Sequence, residues 1–201
     1  MSVRTVAIAR GVAVIGGTAA LIAGVTFAAF QTNTVTLAEN SLATSSDNLQ
    51  IYDPIAGFTV NPTNGYALTL VPGIESAKKP FYLKNLSGAN LGLTAHLGAG
   101  ITNTGVTDYA KVKVRFYDGT GALLADTDIN ALNGGQIPFT SPAGDLAAGA
   151  QGNAGVPATN GNYAVSFEIT PDGVAGTSAT VNHINLEFTG TATTPAPISV
   201  P

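Results

Sequence analysis

Lys111–Gly121 reads KVKVRFYDGTG, and its alternation decides the fold class. On an extended chain Val112, Val114 and Phe116 point to one side, and Lys111, Lys113, Arg115 and Tyr117 to the other. Asp118-Gly119 then supplies a turn. Such a segment is a strand with one face in a core and the other toward water. The same grammar recurs on both sides of it. NYAVSFEIT (162–170) aligns Tyr163, Val165, Phe167 and Ile169 on one face. ANLGLTAHL (89–97) aligns Leu91, Leu93, Ala95 and Leu97, and HINLEFTG (183–190) aligns Ile184, Leu186 and Phe188. NGYALTLV (64–71) turns at Asn64-Gly65 and sends Tyr66, Leu68 and Leu70 inward. KPFYLKNLS (79–87) brings Phe81 and Leu83 into phase, DNLQIYD (47–53) does so for Leu49 and Ile51, and ALLADTDI (122–129) is a weaker strand. Short alternating strands broken by Gly, Asn, Pro and Asp predict an all-β, antiparallel sandwich of two sheets.

No segment after the signal segment carries sustained helical periodicity. Residues 130–162 are loop-rich, either a surface excursion or a cover for one end of the sandwich. The division expected is 1–28 as a signal peptide, 29–40 as an N-terminal strand segment, 41–190 as one β-sandwich domain and 191–201 as an extended tail containing Pro195 and Pro197. Removing residues 1–28 leaves 173, enough for a core without disulfides or metal.

The N-terminus carries the compartment signal. Arg4 and Arg10 precede an uncharged run from Gly11 to Ala29 rich in Ala, Val, Ile and Gly. Thr26 and Ala28 are small residues at −3 and −1 of a cut between Ala28 and Ala29. Retention as a membrane anchor is the plainer alternative, since the run just reaches spanning length. Arg10-Gly11 before an apolar run also fits a type IV prepilin cut, with the apolar segment kept as a helix. Against it, Gly16 stands where such pilins carry Glu, and Gly16-Gly17 weakens a helix by about 1 kcal/mol per glycine.

Composition narrows the function classes. Only 10% of the 201 residues are charged and the formal net charge is −4. Without Arg4 and Arg10 six basic residues face twelve acidic ones, which argues against a nucleic-acid partner. The Lys111, Lys113, Arg115 stripe reads as a solvated strand face. There is no Cys, hence no disulfide and no thiol nucleophile. His96 and His183 sit within strand patterns, each opposite the apolar face. No zincin motif, nucleophile elbow, phosphate loop or dinucleotide fingerprint occurs. No cofactor is expected.

Three weaker sites remain. Asp126, Asp128 and Asn130 open like a calcium loop, but Ala131 stands where Gly is needed and Ile137 where the bidentate Glu belongs. A cruder Ca²⁺ site from those three residues competes with a simple polar turn. Asn85 heads the sequon Asn85-Leu86-Ser87. Tyr52, Tyr82, Tyr109 and Tyr117 are candidates for a sugar-binding surface.

Two segments carry a family resemblance. GVTFAAF (24–30) followed by TLAENSLATSSDNLQI (36–51), and LVPGIESAKKPFYLKNLSGANLGLTAHL (70–97), with Pro72-Gly73 at the turn, resemble the TasA/camelysin family of secreted biofilm-matrix fibre proteins. NHINLEFTGTAT (182–193) is similar to that family's closing strand. The junction here has Gly24-Val25-Thr26 where the family has Gly-Gly-Thr, and the middle of the chain shows no counterpart. The resemblance implies a secreted jelly-roll domain that polymerises with copies of itself into extracellular filaments by donor-strand exchange, alongside other matrix components. An N-terminal strand of one subunit then completes a sheet of the next.

The reading expected is therefore a non-catalytic filament subunit. A type IV pilin-like subunit and a secreted adhesin or carbohydrate-binding sandwich are its alternatives. A hydrolase would need a His paired with a carboxylate, and His183 and Glu187 lie about 13 Å apart on one strand. Val35 and Leu37 share one phase and Phe30 the other, so a break is expected between Phe30 and Val35. The donated piece is expected to be Ala29, Phe30, Gln31, Thr32, Asn33 and Thr34, with Val35 onward starting the subunit's own sheet.

Overall fold

The computed structural model describes residues 34–44, 48–53, 57–59, 65–156, 158–176 and 178–193. The signal segment 1–28, the junction at Ala28 and Ala29, donor residues 29–33 and tail residues 194–201 lie outside the described residues. The strands divide between two sheets. One contains β1 (Thr34–Thr44), β4 (Gly65–Leu70), β6 (Leu91–Leu97), β7 (Thr102–Thr104), β10 (Ile137–Pro138), β12 (Ser178–Asn182) and β13 (Asn185–Ala192). The other runs β3 (Gly57–Thr59), β2 (Leu49–Asp53), β5 (Lys79–Asn85), β11 (Asn162–Ile169), β8 (Val112–Asp118) and β9 (Leu123–Asp128). A two-sheet, all-β sandwich is thus the architecture.

The faces read from alternation meet in the core. Val112, Val114 and Phe116 are buried, as are Tyr163, Val165, Phe167 and Ile169. From the opposite sheet come Leu91, Leu93, Ala95, Leu97, Ile184, Leu186 and Phe188. Aromatic rings lock the layers together. Phe188 stacks on Phe81 at 4.7 Å between centroids and meets Phe116 edge-on at 6.1 Å.

Several expectations are corrected. The sandwich is not wholly antiparallel, because β1 runs parallel to both β12 and β13. The closing strand is interrupted at His183 and Ile184, where His183 adopts φ 60°. Lys111 ends a short 3₁₀ turn, Tyr109–Lys111, and β8 begins only at Val112. Tyr117 faces outward but is covered, because Lys78 lies 3.4 Å from its ring centroid and Glu75 accepts its hydroxyl. β13 continues to Ala192, into the segment read as tail. A single-turn helix, α1 (Ile129–Gly134), interrupts the expected loop, with the Asp128 carboxylate capping Ala131 N–H at 2.9 Å.

The loop-rich region belongs to the core on one side. Phe139 follows β10 and packs on Phe116, 5.1 Å between centroids. Leu146 is fully buried and pairs with Leu91 through two backbone hydrogen bonds of 2.9 Å. Residues 136–146 are therefore a covering of the sandwich rather than a surface excursion.

Candidate functional site: the slot around the N-terminal strand

β1 has a neighbour along each edge. On one side Val35, Thr36 and Leu37 oppose Leu70, Thr69 and Leu68 of antiparallel β4. On the other, Thr34 to Ala38 oppose Ser178 to Asn182, and Ser41 to Thr44 oppose Asn185 to Phe188. The sequence offset is the same along both parallel stretches, so β12 and β13 form one line against β1 despite the break at His183. The ladder to β4 shifts register between Leu37 and Asn40, which gives β1 an irregularity of its own. Among the described residues β1 is the ladder partner of β4. The first strand of the described residues, eleven residues long, is thus an interior one, and its removal would open two unpaired edges. At its far end the buried Thr44 hydroxyl donates to the Leu49 carbonyl at 2.8 Å, tying β1 to the start of β2.

Thr34, at the end of the segment read as donated, is the first residue of β1 and pairs with Ser178 of the same chain. Cross-strand partners and pleat explain the rest of the surface. Arg115 opposes Asp126 and Lys113 opposes Asp128, on the outer face of β8 and β9. Arg115 Nε donates to Asp126 at 3.1 Å and its Nη1 to Glu168 at 2.7 Å, while Lys113 reaches Asp128 at 3.4 Å. The hydrogen bond to Glu168 raises the guanidinium pKa further. The basic stripe is therefore a cross-strand ion ladder.

That ladder gives the calcium candidates partners within the protein: Asp126 and Asp128 hold Arg115 and Lys113, and Asp128 also caps α1. Asn130 lies in the first turn of α1 rather than in a loop.

Asn85 is corrected as a glycan acceptor. It is buried, and its Nδ2 donates to the carbonyls of Ala89, Leu146 and Ala147 at 2.8, 3.2 and 2.9 Å. Its Oδ1 accepts from Ser87 N–H and Oγ. The amide nitrogen is a structural bolt, inaccessible in the folded protein.

A His–carboxylate pair does exist, with a different His from the one considered in the sequence. His96 on β6 opposes Glu187 on β13, and His96 Nε2 lies 3.1 Å from Glu187 Oε2. Its Nδ1 is buried without a hydrogen bond among the described residues. An orienting carboxylate on one ring nitrogen serves hydrolysis when the other nitrogen meets a nucleophile.

On the outer face of the second sheet, Tyr52 and Tyr82 come together with Phe58, which sequence reading missed. Tyr52 and Phe58 are register partners, with ring centroids 5.4 Å apart, and Tyr52 and Tyr82 lie 6.2 Å apart. GFT is too short to show alternation, and only its pairing with β2 reveals Phe58. Tyr109 instead packs partly against the core.

No protein-family model matches the chain, and no curated protein matches it in sequence.

Proposed function

We propose that this chain is a secreted, non-catalytic structural subunit that polymerises into extracellular filaments of a biofilm matrix by exchange of its N-terminal strand. The sandwich is of jelly-roll type in this reading, and residues 1–28 are removed on export. The observation that carries it is the position of β1: the first strand of the described residues lies inside a sheet, between β4 and the β12–β13 line, so the exchanged segment in this reading extends from Ala29–Thr34 to include β1. A strand so placed is complete in its backbone hydrogen bonds whichever copy of the chain supplies it. Intra- and intermolecular occupancy of the slot therefore offer nearly the same contacts, and exchange is open-ended when the connection reaches a neighbour instead of its own subunit. The scarcity of charge lets copies approach with little repulsion.

Electron microscopy of the purified protein, with and without Ala29–Thr34, tests the reading. Filaments are expected from the longer chain only. Monodisperse particles from both under every assembly condition would overturn it. The N-terminal mass of secreted protein separates the alternative: a start at Ala29 agrees with strand exchange, and a start at Val12 makes the chain a type IV pilin-like subunit with a retained helix.

A further inference from the structure

The aromatic row on β3, β2 and β5 borders a cleft whose lining includes no residue of β1, β4, β12 or β13. Its walls are Tyr52, Phe58 and Tyr82 on one side and the loop Gln151–Ala154 on the other, enclosing about 230 Å³. Phe58, Tyr52 and Tyr82 stand on three adjacent strands in a row across the end of the sheet, with Tyr52 edge-to-face to both neighbours at interplanar angles of 65° and 78°, so successive ring faces point in different directions. Tyr52 is 42% exposed although core positions for aromatics exist on the other face of the same strands.

The opposing loop is held rigidly. Gly152 N–H donates to the Leu83 carbonyl at 2.9 Å and Asn153 N–H to the Asn162 side chain at 2.7 Å. A Cβ on Gly152 would overlap the Gly161 carbonyl, and Gly161 itself has φ 104°. Two glycine backbones in contact are what bring this loop up to β5. The polar tips along the cleft are left over from this construction. Among the described residues the hydroxyls of Tyr52 and Tyr82 and the Gln151 amide make no hydrogen bond, and Asn153 engages its Oδ1 but not its Nδ2. Among the described residues no carboxylate lines the cleft, and the nearby Lys84 ammonium lies 5.6 Å from the Phe58 ring centroid.

A fitting ligand has an apolar face for the rings, a rim of hydroxyls for amide and phenol groups, and no need of a counter-charge. Pyranose rings have that pattern: axial C–H groups meet the negative faces of aromatic rings, and equatorial hydroxyls pair around the edge. The cleft is smaller than the roughly 300–1,000 Å³ of sites that engulf a drug-sized ligand, as suits a chain laid across the surface one ring at a time. We propose that this cleft binds neutral polysaccharide, with Tyr52 and Tyr82 as stacking platforms and Gln151 and Asn153 as hydrogen-bonding groups.

The test uses the purified protein titrated with laminarihexaose, cellohexaose, maltohexaose and chitohexaose. Tyrosine fluorescence, readable because the chain has no Trp, and ligand-observed NMR report binding. At least one hexasaccharide is expected to bind, with affinity falling about tenfold in Tyr52→Ala and in Tyr82→Ala. Gln151→Ala is expected to weaken binding less, and Tyr109→Ala to leave it unchanged. Circular dichroism identifies any variant that fails to fold, and the surface change Gln151→Ala then carries the comparison. Absence of binding by all four sugars at about 10 mM overturns the proposal. Equal binding by Tyr52→Ala and Gln151→Ala also overturns it. So does self-association in the absence of sugar that Tyr52→Ala abolishes, which makes the row a protein contact.

Discussion

Glu75 shows how one side chain fixes a loop to a sheet. Its carboxylate accepts from the Ser166 hydroxyl and from the Tyr117 hydroxyl at 2.6 Å, with Arg115 Nη1 at 3.4 Å. The hydrogen bonds from Ser166 and Tyr117 hold its pKa below the usual glutamate value of 4.5. A carboxyl whose folded pKa is depressed stabilises fully above its unfolded pKa and loses that contribution as pH falls through the folded value. Glu75→Gln is therefore expected to lower the melting temperature at pH 7 and to shrink the loss of stability between about pH 5 and pH 3. Thermal unfolding of both proteins across that range measures it, and identical pH profiles would remove Glu75 from the account. Neither Ser166 nor Glu75 was legible as a partner. Ser166 reads as an outward strand residue and Glu75 as a solvated loop charge, and only the fold over the sheet brings residues 91 positions apart into contact.

At the scale of elements, β1 carries the proposal. Thr36 and Thr69 are register partners on β1 and β4. Antiparallel partners have Cα atoms about 4.5–5.5 Å apart, within disulfide reach. The chain has no cysteine to interfere. The double variant Thr36→Cys/Thr69→Cys, oxidised as a monomer, fixes β1 in its own sheet and is expected to stop filament growth. Reduction is expected to restore growth. Light scattering follows both states, and unimpeded growth of the oxidised protein would separate polymerisation from β1. Alternation marked most strands correctly because each turns one face to the core. It failed for β3, β7 and β10, which have two or three residues each and hence no period to detect, and it missed the five-residue β12 as well.

Across the whole molecule a single core joins the sheets, and the loop-rich region contributes to it. Phe139 touches Phe116 from one sheet and Phe188 from the other, with centroids 5.1 and 6.3 Å away. Phe139→Ala is expected to cost about 3–5 kcal/mol, as for a core aromatic, despite its place in a segment rich in Gly, Pro and Ala. A loss of less than about 0.5 kcal/mol in the unfolding free energy measured with urea would return the segment to the surface. The sequence by itself determined the all-β class and nearly every inward-facing residue of the longer strands, because a period of two is a local property that burial imprints on each strand separately. Only the tertiary structure decided which strands are neighbours, that β1 runs parallel to the last strand, that Phe139 and Leu146 enter the core, and that Asp126, Asp128 and Asn85 have their partners within the protein. Alternation looks the same for parallel and antiparallel pairing and is silent about the partner. Those choices are made by contacts between residues far apart in the chain.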